Sequence, residues 1–189
     1  MARSKLKRFL GHLWEIAEII IIALVTVYII RTFIAQPFLV SGASMESTFI
    51  DGDYLLIDEL TYYFREPARG EVVVFRYPLN PKSFFIKRII GLPGETVQVF
   101  NDQIRITPAE SGEPFILDEF YLDESTYTSG EQSTELAAGE YFVMGDNRSN
   151  SFDSRNWGAL DKGEIVGLAR LRVFPFTDFG VVRNPSFGN

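Results

Sequence analysis

The sequence predicts a mainly β domain, a coiled barrel or sandwich, behind one N-terminal transmembrane helix. Three observations carry this. Short apolar runs of strand length recur from residue 53 onward, separated by Gly, Pro, Asn and Asp. The composition, 46% hydrophobic with 17 Phe, 15 Gly and 9 Pro, suits many short strands and turns around a real core. Residues 13–40 are almost continuously apolar.

The strand candidates are residues 53–58, 71–76, 83–90, 96–100, 103–107, 141–144 and 164–174. Gly70 precedes the second, and Gly91-Leu92-Pro93-Gly94 closes the third. Such spacing points to antiparallel sheets rather than to helices alternating with parallel strands. Residues 108–139 are acidic and rich in Ser, Thr and Gly, and read as an insertion or an excursion from the barrel. Asp51, Asp53, Asp58 and Glu59 read as solvated strand ends.

The charge-free part of the apolar stretch, residues 19–30, is shorter than the ~20 residues that cross ~30 Å of hydrocarbon. Glu15, Glu18 and Arg31 lie near its ends, where long side chains reach the interface, so a span over residues 14–34 is expected. Arg3, Lys5, Lys7 and Arg8 precede it and place the N-terminus in the cytoplasm, with everything after Arg31 outside. A cleaved signal peptide also begins with basic and apolar segments, but this run is long and no A-x-A-like site follows. An interfacial helix would need a basic face that is missing. The expected organisation is a basic N-terminus over 1–13, an anchor over 14–36, a β-rich domain over 37–183 and a tail over 184–189.

The chain of 189 residues carries a net charge of −7, which argues against nucleic acid as a partner. It has no cysteine, which removes disulfides, thiolate catalysis and zinc–thiolate sites. No clustered metal ligands and no phosphate-binding loop occur, so no cofactor or metal is expected. His12, the one histidine, lies on the cytoplasmic side of the expected anchor, so it cannot serve a site on the other side.

Three segments carry candidate chemistry. In SGASMESTF (residues 41–49), Ser44 follows two small residues that permit a sharp turn and close approach of a carbonyl. Its hydroxyl can be a nucleophile if a base takes the proton, and its own N–H can donate to an oxyanion. The same serine in a Gly-rich turn can simply bond its own backbone. With histidine and cysteine gone, lysine and carboxylates remain as bases. Lys87 stands in FFIKRII, where strand alternation puts it on one face with Phe85 and Ile89; burial there lowers an amine's pKa toward neutrality. Arg88 points to the other face and would push the shift the same way. A solvated edge-strand lysine is the competing reading. In GDNRSNSFDSRNWG (residues 145–158), alternating Asp, Arg and hydroxyl residues can form a hydrogen-bonded support. If that segment is extended, Ser151, Asp153 and Arg155 share a face; a purely structural turn network remains an alternative.

Together these segments resemble the bacterial type I signal peptidases: SGASMESTF their nucleophile box, KRIIGLPGE (residues 87–95) their lysine box, and GDNRSNSFDSRNWG their third box. The resemblance spans about residues 14–170. It implies a β-rich catalytic domain of the signal peptidase type, with Ser44 as nucleophile and Lys87 as general base in a Ser–Lys dyad. It further implies that Ser151 bonds and orients the Lys87 amine, that Asp153 pairs with Arg155 behind the dyad, and that Met45 and Phe85 lie at the substrate-binding surface. The implied substrates are signal peptides of exported preproteins, cut after small residues at the extracytoplasmic face of the bacterial cytoplasmic membrane. The implied surroundings are the lipid bilayer and the protein-translocation machinery. Two positions depart from the pattern: Ser47 stands where the family has Pro, and Gly42 where some members have a hydroxyl oxyanion donor. A self-cleaving Ser–Lys protein and a membrane-anchored β binding domain with a decayed site are the competing functions.

Overall fold

The computed structural model describes residues 2–33, 35–109, 112–185 and 187; for residues 2–10, 29–33 and Ala35 the description is of backbone only. Helix α1 runs Ala2–Phe33, and its described side chains from Gly11 to Tyr28 are all exposed. That stretch of 18 residues, with mean hydropathy 1.6, is long and apolar enough to cross a membrane. Strand β1, Ala35–Leu39, takes in the last two residues of the expected anchor, 14–36.

The rest is mainly β, as the strand-length runs predict. Strand β2 is Tyr54–Asp58, and the one-turn helix α2 is Thr61–Phe64. Strands β3 (Val72–Tyr77), β4 (Asn80–Gly91), β5 (Thr96–Phe100) and β6 (Gln103–Thr107) follow. Residues 108–139 supply the short strands β7, Phe115–Ile116, and β8, Gln132–Glu135. Then come β9 (Glu140–Met144), the one-turn helix α3 (Ser154–Trp157), β10 (Leu160–Asp161), β11 (Ile165–Phe174) and β12 (Gly180–Val181).

Two antiparallel sheets result. The larger is ordered β1-β2-β11-β3-β4-β9-β10, with β12 on β11; the smaller is β7-β6-β5-β8. Strand β3 explains the centre. Its Val72-Val73-Val74-Phe75 run is buried on both faces: Val72 and Val74 join Met45, Phe49, Leu55 and Ile57, while Val73 and Phe75 join Ile89, Tyr141 and Val143. A strand without polar alternation is what a position between two packed layers requires. The smaller sheet closes a third cluster in which Leu117 and Leu136, from the acidic excursion, pack on Val97, Ile104 and Phe142. The excursion is therefore part of the fold. The tail also packs, with Phe187 against this third cluster.

Asp53 and Asp58 are not solvated ends. Asp53 is buried, accepts from the Ile50 N–H and pairs with Arg172 at 3.3 Å. Asp58 caps α2 through Leu60 and Thr61. Next to Lys87, Arg88 is buried and pairs with the fully buried Asp146 through two contacts of 2.9 and 2.6 Å. Thr48 donates to the same carboxylate at 2.5 Å, so this pair fastens the turn after Ser44 to the sheet. Arg88→Met removes one partner and leaves the Asp146 charge buried and unpaired, a loss of about 3–5 kcal/mol; a urea unfolding midpoint measures it.

Candidate active site

Ser44 lies in the turn that leads out of β1, and Lys87 on β4. Val73 pairs with Lys87 in the sheet, and the flanking strands hold both in the interior. The Lys87 Nζ and Ser44 Oγ are 2.6 Å apart. The amine also donates to the Ile86 carbonyl at 2.9 Å and lies 5.4 Å from the centre of the Phe85 ring. Lys87 is only 4% exposed, the reverse of a solvated edge lysine.

That burial lowers the amine's pKa from 10.5 to about 8; the Asp153 and Asp146 charges pull it partly back up. The shift comes from burial against the two carboxylates and not, as expected, from Arg88, whose guanidinium is bound to Asp146. About a tenth of the amine is then neutral at pH 7, and half at pH 8. A neutral amine can accept the Ser44 proton on its lone pair while keeping an N–H for the Ile86 carbonyl.

Residues 145–158 form the support, though not as an extended strand. Asp153 caps the one-turn helix α3 and accepts from Gly145 N–H at 3.1 Å. Arg155, inside that helix, folds back on Asp153 with contacts of 2.8 Å each from Nε and Nη2. Burial alone would raise the Asp153 pKa, but the Arg155 hydrogen bonds and charge outweigh it and hold the carboxyl below its ordinary range. Helical winding, not strand alternation, brings the pair together.

Ser151 departs from the expected contact. Its hydroxyl is buried, approaches Asp153 closely enough to lower that carboxyl's pKa, and meets the geometry of no hydrogen bond, to Lys87 or to any other described group. The amine's contacts go to Ser44 and Ile86 instead. Ser151 nevertheless borders the site: a Cβ added at Gly145 would collide with the Ser151 hydroxyl and the Ser44 carbonyl. Met45 is also not where expected. It is wholly buried among Val40, Phe49 and Leu55, because the turn points its side chain into the core.

A cavity of about 570 Å³ opens beside the dyad, lined by Phe38, Leu39, Ser44, Phe84, Phe85 and Ile86 among others. Phe85 thus borders it as expected. The Ser44 N–H has no acceptor among the described hydrogen bonds, whereas the Gly42 N–H is taken by Asp51 at 2.7 Å. Two groups went unremarked in the sequence. Asn147 ties the turn down by donating to the Ala43 carbonyl, with its own N–H on the Ser44 carbonyl. Arg148, inside the polar segment, is buried and binds Glu119, Tyr121 and Thr128 of the excursion, with its pKa raised against its burial by Glu119. Its density of charge was the one available signal.

The fold and this hydrolytic geometry fit a peptidase, and the chain is a serine endopeptidase of the signal peptidase type. A family model described as "Signal peptidase, peptidase S26" matches residues 13–174, and the chain belongs to that family. Signal peptidase I of Bacillus amyloliquefaciens is 36% identical over 181 residues, covering 94% of this chain and 93% of its own. Signal peptidase I T of Bacillus subtilis is 36% identical over 168 residues, covering 87% and 86%. A solved signal peptidase I from Enterococcus faecalis is 28% identical with a TM-score of 0.46, covering 55% of this chain and 97% of that one.

Ser47, in the position of the family's proline, has φ of +80°. A proline ring fixes φ near −65°, so the family residue is incompatible with this turn. Ser47→Pro lowers stability, while Ser47→Gly stabilises by about 0.5–1 kcal/mol; thermal melts of the two variants measure both changes.

Proposed function

We propose that this protein is a membrane-anchored endopeptidase that removes signal peptides from exported preproteins through a Ser44–Lys87 dyad. One observation carries the reading: an amine held 2.6 Å from a serine hydroxyl at 4% exposure. A decayed site would show a long separation and an amine in water. A self-cleaving protein would need a cleavage site of its own ahead of the domain, and the apolar helix α1 occupies that place.

The substrate binds extended. Strand β1 is paired on one side only, and β4 meets β9 only from Arg88 to Gly91, so both leave free edges toward the cavity. A peptide laid between them gains strand hydrogen bonds. Phe84, Phe85 and Ile86 narrow the space around the scissile bond, which favours small side chains.

Neutral Lys87 takes the Ser44 proton as Oγ attacks the carbonyl carbon. The oxyanion meets the unused Ser44 N–H. The ammonium returns the proton to the leaving amine, and an acyl-enzyme remains. Water then gives a proton to Lys87 as it attacks the ester, and the ammonium returns that proton to the departing Ser44 Oγ, which restores the hydroxyl and the neutral amine. Asp153, held by Arg155, acts on the amine through its charge, and Ser151 lines the same cavity as Ser44 and Lys87.

Helix α1 is the transmembrane anchor. The basic residues before it face the cytoplasm, and the β domain lies at the extracytoplasmic surface of the bacterial cytoplasmic membrane, beside the translocation machinery. Tethering there raises the effective concentration of the emerging cleavage site.

Ser44→Ala and Lys87→Met each reduce processing of a preprotein by more than about 10³-fold while the far-ultraviolet spectrum is retained. The wild-type rate rises with pH through an essential limb near pH 8, because the deprotonated amine is the reactive form; a rate flat from pH 5 to 9 excludes Lys87 as base. Lys87→Met also stabilises the fold. The folded-state pKa of about 8 lies below the ordinary 10.5, so the unfolded chain holds the extra proton between those values. The penalty is complete below pH 8, shrinks as pH rises from 8 to 10.5 and is gone above that. Its removal at pH 7 is worth up to about 3 kcal/mol, read as a higher Tm.

A further inference from the structure

We propose that Asn147 is a positioning residue for the oxyanion site, holding the peptide units on both sides of Ser44 so that the Ser44 N–H points at the oxygen of the attacked carbonyl. This rests on Ser44 being the nucleophile, and adds the group that aims its amide.

In a planar trans peptide the C=O and the N–H point in opposite directions, so a bond to the oxygen fixes the hydrogen as well. The Ser44 N–H shares its peptide unit with the Ala43 carbonyl. Asn147 Nδ2 donates to that carbonyl at 3.0 Å, from 104 residues away in the sequence. The next peptide unit begins with the Ser44 carbonyl, which accepts from the Asn147 N–H at 3.1 Å. One residue thus holds the backbone on both sides of Ser44. The turn has a bond of its own, from the Glu46 N–H to the Ala43 carbonyl at 3.1 Å, which closes the loop from within. Asn147 ties that loop to the rest of the domain. Its neighbours are fixed: Asp146 and Arg148 are buried and paired with Arg88 and Glu119.

The contacts call for an amide. Asn147 Nδ2 also donates to Glu46 Oε2 at 3.0 Å, and Oδ1 accepts from the Ser149 hydroxyl at 3.2 Å. These partners decide which end of the amide faces Ala43. A carboxylate of the same shape has no hydrogen for the Ala43 oxygen and is repelled by Glu46. The demand on the Ser44 N–H is high, because Gly42 carries no hydroxyl and its N–H is committed to Asp51. A hydrogen bond at the Ala43 oxygen also polarises the N–H at the other end of the unit, which strengthens it as a donor.

Asn147→Ala is expected to lower kcat about tenfold, part of the ~10²–10³ that a whole oxyanion donor is worth, with KM within about twofold of wild type. The limb near pH 8 is expected to stay in place, since the Lys87 amine bonds to Ser44 and Ile86 and not to Asn147. Asn147→Asp is expected to lose at least as much rate. A peptide aldehyde adds the Ser44 Oγ–H across its C=O and places its oxygen at the oxyanion site; the matching peptide alcohol binds without that addition. Asn147→Ala is expected to weaken the aldehyde about tenfold and the alcohol not at all. Equal weakening of both, a raised KM with kcat kept, or an unchanged kcat overturns the proposal. Glu46→Ala, at an exposed position that orients the amide, covers the case in which Asn147→Ala does not fold. It is expected to lower kcat and aldehyde affinity about threefold, and no change in either overturns the proposal. Ser44→Ala is assayed alongside. If it processes at the wild-type rate, the nucleophile assignment falls and this proposal with it; if it is inactive while Asn147→Ala matches wild type, the role of Asn147 alone falls.

Discussion

The hydrogen-bond contact between the Lys87 amine and the Ser44 hydroxyl joins chain segments 43 residues apart, and the strand order exists around it. Lysine can be buried on β4 only because β3 lies on one side of that strand and the third-box segment covers the other. Were β4 an edge strand along its whole length, water would reach Nζ and the amine would stay charged. Yet a fully covered β4 would leave no edge for a peptide. The compromise is a strand paired with β9 only over its C-terminal part, from Arg88 onward, while the preceding residues border an open cavity.

Adjacent residues on β4 show how much position decides. Lys87 and Arg88 differ by one step along the strand and point to opposite faces. Arg88 meets a buried carboxylate at bidentate geometry and keeps its charge. Lys87 meets a hydroxyl, a carbonyl and an aromatic ring, none of which replaces the hydration of an ammonium. The Asp146 that satisfies Arg88 also holds Thr48, four residues past Ser44. The same carboxylate, together with Asp153, keeps the Lys87 pKa from falling further. Structural support and the tuning of the Lys87 amine therefore share their charges.

Most of the longer strands and the burial of Lys87 were legible because each depends on local pattern. Residues 71–76 read as a strand, and Lys87 between Phe85 and Ile89 offered a buried amine against a solvated edge lysine, of which the fold shows the first. What was not legible depends on contacts between distant segments. Met45 follows the nucleophile in sequence, but the turn after it, closed by Phe49 N–H on the Met45 carbonyl, sends it into the core. Asp53 looks like a solvated strand end until Arg172, on β11, is found against it. The acidic excursion reads as solvent-facing because its charges outnumber Leu117 and Leu136, which do the packing. Asp153 and Arg155 were paired for the wrong local reason, since an i, i+2 spacing suits a strand and the segment is helical there.

The open cavity and the incompletely shifted amine belong together. Burial takes the Lys87 pKa only to about 8, and most of the amine is still charged at pH 7. Under the proposed reaction, an extended peptide laid along β1 and β4 covers the same opening and removes water from beside Nζ. Desolvation acts on the charged form alone, so it moves the pKa further down and enlarges the neutral fraction. Part of the binding energy is thereby expressed at the base, and only where the groove is filled. A side chain too large to seat beside Phe84 and Ile86 would hold the peptide off the strand edges and leave water in place. Selectivity for small residues and activation of the base then arise from one geometric condition, close contact of the peptide with the free edges of two strands.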